Sequence, residues 1–262
     1  MNKTLKNINY LSLISPLVLI ILCVLSIGQL QKPLLTRQID LTPQDIQQQE
    51  TLTRTQLHLI QTLPTIGYDN IIAGWNFLNF VQYFGDGNAR DITGYSLVPE
   101  YYRIIVNKDP RFVTSYLFLD TATSLFAGRP DISVELMEQG LQHLSPEIPS
   151  AYLVWTYKGI NELLFLGRTQ DAKQSYQTAS EWAKIENTET SIAIRQRALE
   201  TAQFLENNPD SRSARASAWM MILGNAREEE VRQLALQQLD ELGAQITIDG
   251  NNLSVTIPQD DP

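Results

Sequence analysis

Apolar positions recur every three or four residues through most of the chain beyond residue 43, a period that keeps one face of a helix buried. The pattern is sharpest over residues 149–183, PSAYLVWTYKGINELLFLGRTQDAKQSYQTASEWA. Tyr152, Trp155, Gly159, Leu163 and Leu166 mark one helix there. Ala172, Tyr176, Ala179 and Ala183 mark a second, with a tight turn at Gly167 between them. Small residues at Gly159, Ala172 and Ala179 let the two helices approach closely. A lone helical hairpin cannot bury its own apolar face, so this unit needs neighbours of the same kind.

The rest of the chain supplies them. Thr42 as an N-cap, Pro43 at the first helical position and Asp45 three residues after the cap open a Gln- and Thr-rich helix over 43–63. Its apolar residues Ile46, Leu52, Leu57, Ile60 and Leu63 form only a thin stripe, so residues 32–66 read as a polar helical connector; a self-association seam needs more regular heptads. Asn70–Phe84 is a densely apolar helix with aromatic residues all round it. Gly85–Ser96, with three glycines, reads as a long loop that closes one end of a groove. Further helices are predicted at 99–106, 112–126, 131–144, 188–206, 211–224 and 226–242. The period then changes: Ile246 and Ile248, then Leu253, Val255 and Ile257, alternate with polar residues around Asp249-Gly250-Asn251-Asn252. Residues 244–262 therefore read as a short β-hairpin, docked on the last helix, and an acidic tail.

The N-terminus differs. No charged side chain occurs from Asn7 to Gln31, and the apolar core Leu11–Leu30 matches the roughly 20 residues a helix needs to cross a bilayer. Lys3 and Lys6 precede it, which favours a cytoplasmic N-terminus and a single-pass protein with residues 32–262 in the periplasm or lumen. A cleaved secretory signal ending near Ser26-Ile27-Gly28 is the competing reading. The apolar run continues to Leu30, which favours residues 1–31 as an uncleaved anchor. Cys23 follows Ile21 and Leu22 rather than small residues, so it is no lipobox. As the sole cysteine it excludes an intrachain disulfide framework and a Cys-rich zinc site. The net charge is -9. Two of the basic side chains precede the apolar run, so the remainder is more acidic still, repels phosphate backbones and is not expected to bind nucleic acid.

Gly128-Arg129-Pro130 and Gly167-Arg168-Thr169 are equivalent turns. Ser133, Met137 and Gly140 follow the first at the same offsets as Ala172, Tyr176 and Ala179 follow the second. Asp109-Pro110 sits where one unit passes to the next. In these residues the chain resembles a tetratricopeptide-repeat (TPR) protein over 70–185 and, by helix pairing alone, over 188–243. Gly159 stands one residue too far from Ala172 for that family's pattern, and Gly85–Ser96 interrupts the first unit. The resemblance implies an all-α, right-handed superhelix of helical hairpins over 67–243, whose groove binds a peptide or helix of a partner protein; it does not imply catalysis. First helices would line that groove. Asn76, Asn79 and Tyr83 share one face of the 70–84 helix, and Asn161 lies in the first helix of the central hairpin. These four are the candidates for partner hydrogen bonds, with ordinary polar surface as the alternative. The Lys- and Arg-rich clamp of some TPR domains is not recognisable; Arg195 and Arg197 alone do not make one.

Reaction chemistry is not visible. His58 and His143 lie in separate helices without metal or triad spacing, and Ser145 beside His143 reads as a helix-end residue. Asp86-Gly87-Asn88-Ala89-Arg90-Asp91 is no calcium loop, because the sixth position is Asp91 rather than Gly and the twelfth is Leu97 rather than Glu. Glu228-Glu229-Glu230 complements a helix dipole. No catalytic, cofactor-binding or metal-binding residue is assigned. The expectation is a membrane-anchored scaffold or assembly factor for a membrane or envelope complex, of bacterial type from its short anchor flanks. The alternatives are an extracytoplasmic enzyme with a carboxylate-based site, or a permanent structural subunit.

Overall fold

A computed structural model describes residues 42–257 except 63, 65, 66, 208, 250 and 251, with a few positions between 18 and 29. The anchor expected over residues 11–30 lies largely outside the described residues, as does the acidic tail. Among the described residues no helix is long and apolar enough to cross a membrane.

From Pro43 onward the chain forms one unit, and it is almost wholly helical. The helices are α1 (Pro43–Thr62), α2 (Asp69–Gly85), α3 (Gly87–Thr93), α4 (Val98–Lys108), α5 (Val113–Leu119), α6 (Pro130–Leu141), α7 (Tyr152–Leu164), α8 (Thr169–Glu186), α9 (Glu189–Glu206), α10 (Arg212–Asn225) and α11 (Glu229–Glu241). Strands β1 (Gln245–Asp249) and β2 (Asn252–Thr256) close the chain as an antiparallel hairpin that pairs Ile246 with Val255. Its second strand packs against α10, and Ile246, Val255 and Ile257 join the apolar cluster that Trp219 and Ile222 of α10 form with Val231, Ala235 and Leu239 of the last helix.

Neighbouring helices pair as the period demands. α2 packs on α4, α7 on α8, and α8 on α9, while α6 lies against both α4 and α7. One core runs from Leu57 of α1 to Val154 of α7 and contains the fully buried Phe80, Tyr102 and Tyr116. Phe77, Phe80 and Phe84 interlock edge-on or tilted with Tyr95, Tyr101, Tyr102, Phe112 and Phe126, the geometry aromatic quadrupoles favour. Most of the aromatic belt of α2 is thus core, but Trp75 stays 63% exposed.

The two glycine turns are equivalent in hydrogen-bond pattern. Gly128 and Gly167 take φ of 64° and 65°, a region open to glycine at little cost. Before each, one amide reaches back five residues (Ala127 N to Ala122 O and Leu166 N to Asn161 O, both 3.0 Å). After each, another reaches back six (Arg129 N to Thr123 O at 2.8 Å, Arg168 N to Glu162 O at 2.7 Å).

Three expectations are corrected. The helix predicted over 112–126 divides at Asp120: α5 ends and residues Asp120–Phe126 form a π-helical turn. In this wider turn Asp120 and Ser124 both reach Asn161 of α7. The 85–96 segment is not a loop throughout, for it contains α3, capped by the Asp86 side chain, which accepts from Ala89 N at 3.1 Å. The helices at 188–206 and 211–224 do not continue the row of hairpins. α9 stacks on α8, whereas α10 packs with α11, the π-helical turn and α7. Trp219, Ile222 and Leu239 bury themselves with Phe165 in a cluster of their own, and this draws α10 away from α9. The α10–α11 region then crosses the turns of the preceding hairpins. A Cβ at Gly94 would meet Glu228, one at Gly128 would meet Val231, and one at Gly167 would meet Arg215. Glu228 therefore does more than begin a helix. Burial against the turn after α3 raises its carboxyl above the usual range, opposed by the backbone amides of Tyr95 and Ser96.

Candidate partner-binding groove

Within the segment read as a polar connector, α1 packs into the helical body. Ile46 and Leu57 of α1 are buried, and between them Glu50 joins α1 to α2 and α3. Both Arg90 Nη atoms donate to Glu50 Oε2 at 3.3 Å, and Arg90 Nη1 also donates to Gly94 O at 2.6 Å. The guanidinium lies 3.6 Å from the centre of the Tyr83 ring. Tyr83 Oη donates to Glu50 Oε1 at 2.9 Å, and Thr93 Oγ1 donates to Oε2 at 3.2 Å. An anion so supplied with donors tolerates burial. Burial, and then the Glu50 charge, hold the Tyr83 hydroxyl well above its ordinary range and push Tyr101 up to about 12. Both stay protonated at neutral pH.

This network floors a groove of about 460 Å³ between α1 and α2. Gln49, Thr53 and Gln56 project from α1 at helical spacing, facing Asn79 and Gln82 of α2, with Asp86 and α3 at one end. Both walls carry amide and hydroxyl groups, each able to donate and accept, beside the apolar Ile46, Leu57 and Ile60 of α1. Trp75 stands at the rim.

Three of the four residues singled out from sequence meet here: Asn76, Asn79 and Tyr83 all line the groove. Asn76 is 1% exposed. Its Nδ2 donates to Ile72 O at 2.8 Å, while its Oδ1 has no hydrogen-bond partner among the described residues. Asn161 lies elsewhere. It is fully buried, accepts from Ser124 Oγ, and donates to Asp120 and to Tyr157 O. It is a joint between the π-helical turn and α7.

Burial of Asp120 raises its carboxyl to about 6, against the opposing pull of the Asn161 amide. Between the unfolded value of 3.8 and about 6 the folded state binds more protons, so this group adds stability as pH falls from 7 towards 4. Asp120→Asn is expected to raise the free energy of unfolding by about 1–2 kcal/mol at pH 7.5 and to leave it nearly unchanged at pH 4. Urea melts at the two pH values check this; an equal effect at both would remove Asp120 as the source.

A second cleft, of about 420 Å³, lies among α6, α7 and α8. Lys158 and Glu162, both buried, form an ion pair at its base. Ser175 Oγ donates to Glu162 Oε2 at 2.6 Å, and Glu138 approaches Lys158 at 3.4 Å. Lys158 thus faces two carboxylates, the buried Glu162 and the more exposed Glu138. His58 and His143 are both exposed, and among the described residues no cluster of His, Cys, Asp or Glu has the geometry to hold a metal.

Sequence reasoning missed Glu50, Arg90 and the Lys158–Glu162 pair. The last left a signal: Lys158 and Glu162 are four apart and are the only charged side chains from Tyr152 to Gly167. Glu50 and Arg90 left none, because their helices are far apart in the chain. Comparison with protein-family models, curated proteins and solved structures finds no match.

Proposed function

We propose that the chain is a TPR-like protein, held at a membrane by residues 11–30, that scaffolds or assembles a membrane or envelope complex by holding an extended, uncharged segment of a partner protein between α1 and α2. The observation that carries this reading is the facing rows of amide and hydroxyl side chains, Gln49, Thr53 and Gln56 against Asn79 and Gln82. A peptide backbone offers alternating donors and acceptors, which such rows match without asking for charge. The groove's own charges favour the same occupant, since Glu50 is neutralised by Arg90. The equivalent glycine turns and paired helices support the TPR-like reading, while the crossing α10–α11 region departs from a regular superhelix.

The test places a photo-crosslinking amino acid at Asn79 in native membranes and identifies adducts by mass spectrometry. One membrane complex is expected, with its adduct lost on Gln56→Glu/Gln82→Glu. Adducts that survive the double substitution, or none at all, would sink the groove as the binding site.

A further inference from the structure

The outer side of α2 carries a feature that the groove does not use. Ile71, Gly74, Leu78, Val81 and Gly85 follow at steps of three, four, three and four, the spacing of a seam between two helices. In an ordinary surface helix such positions are polar. Here Ile71 is 67% exposed, Leu78 57% and Val81 45%, and a Cβ on Gly74 or Gly85 would meet nothing within 4 Å. The seam lies roughly a third of a turn round the helix from Asn79 and Tyr83, while Gln82, one turn beyond Leu78, stands on the edge between seam and groove. No side chain from Asn70 to Gly85 is charged, although the chain as a whole carries -9.

We infer that this seam pairs with the α2 seam of a second copy of the chain. An uncharged seam meets its own image without like-charge repulsion, which few surfaces of so acidic a protein offer. Gly74 lets the two backbones approach, with Ile71 and Leu78 as flanking knobs. The three exposed side chains leave on the order of 300 Å² of apolar surface per copy, the size of the largest patch on many monomers. That is less than the roughly 800 Å² per partner of a standard interface. The pairing therefore needs copies concentrated side by side, and in this it rests on the membrane anchor of the proposed function. A dimer so formed presents two grooves at once.

Leu78 is the midpoint of the seam, so it meets itself across a two-fold axis whichever way the helices run. The experiment uses the full chain in its native membrane with Cys23→Ser, so that one introduced cysteine is the only thiol. Under mild oxidation Leu78→Cys is expected to run mostly as a disulfide-linked homodimer. Gln177→Cys, on the exposed side of α8, should give at least tenfold less. Adding Val81→Lys to Leu78→Cys should cut the dimer at least fivefold. Dimer no greater than from Gln177→Cys overturns the inference. So does an adduct of another mass, which gives the seam to a different protein. Release of the chain by alkaline carbonate would show separately that the anchor reading fails; oxidation of the purified full chain at high concentration then decides the seam by the same criterion.

Discussion

Arg90→Ala is expected to lower the free energy of unfolding by about 3–5 kcal/mol, the usual cost of removing one partner from a buried charge pair. Arg90 is 4% exposed and the Glu50 side chain 12%. The truncation leaves a nearly buried carboxylate short of its cation and Gly94 O with only its longer contact to Tyr83 Oη, at 3.3 Å, and it uncovers one face of the Tyr83 ring. The loss is also local. Glu50 is the most buried polar tie between α1 and the helices behind it, beside the Arg54–Ser96 and Gln61–Glu100 contacts, so hydrogen exchange of the α1 amides should accelerate before the rest of the chain opens. Arg103→Ala serves as the control. Its partner is Glu135, both side chains are well exposed, and such pairs contribute about 1 kcal/mol or less. Urea melts and exchange rates of the two variants measure the contrast. A loss at Arg90 no larger than at Arg103 would mean that α1 is held without help from this charge pair.

Glu162→Ala should cost a similar amount. Glu162 is 1% exposed and Lys158 7%, so the substitution strands an ammonium in the cleft between α7 and α8. Glu138, at 3.4 Å and half in solvent, softens the effect towards the lower end of about 3–5 kcal/mol. Lys158→Met combined with Glu162→Leu removes both charges and keeps the volume, and it should recover most of the loss. A double variant no more stable than Glu162→Ala alone would show that the pair matters for its packing with Ser175 rather than for charge.

These two charge pairs mark where sequence reasoning stopped. Lys158 and Glu162 stand four apart on one helix, so their pairing was open to inspection. Glu50 and Arg90 are 40 residues apart, and nothing local distinguishes them from the solvated charges around them. Arg90 also lies in a seven-residue helix, two turns long, which is too short to show an apolar period. The glycines at 85, 87 and 94 therefore read as a loop, although only Gly94 of these takes positive φ. Asn76, Asn79 and Tyr83 come together at the groove because helical geometry alone puts them on one face. Asn161 was grouped with them through the repeat analogy, and the repeat does not specify which polar side chain turns inward.

Sequence by itself determined most of the longer helices, their approximate ends, the β-hairpin and the equivalence of the Gly128 and Gly167 turns. Each is set by interactions within a few residues: the apolar period, a capping side chain, or a glycine at positive φ. Only the tertiary structure decided that α1 belongs to the body, that Asp120–Phe126 widens into a π-helical turn, and that the α10–α11 region crosses the hairpin turns instead of adding another unit. Those outcomes depend on which apolar faces find each other, Phe165 with Trp219, and on which charges are buried together, Glu50 with Arg90. Such contacts join distant parts of the chain, and local pattern carries no record of them.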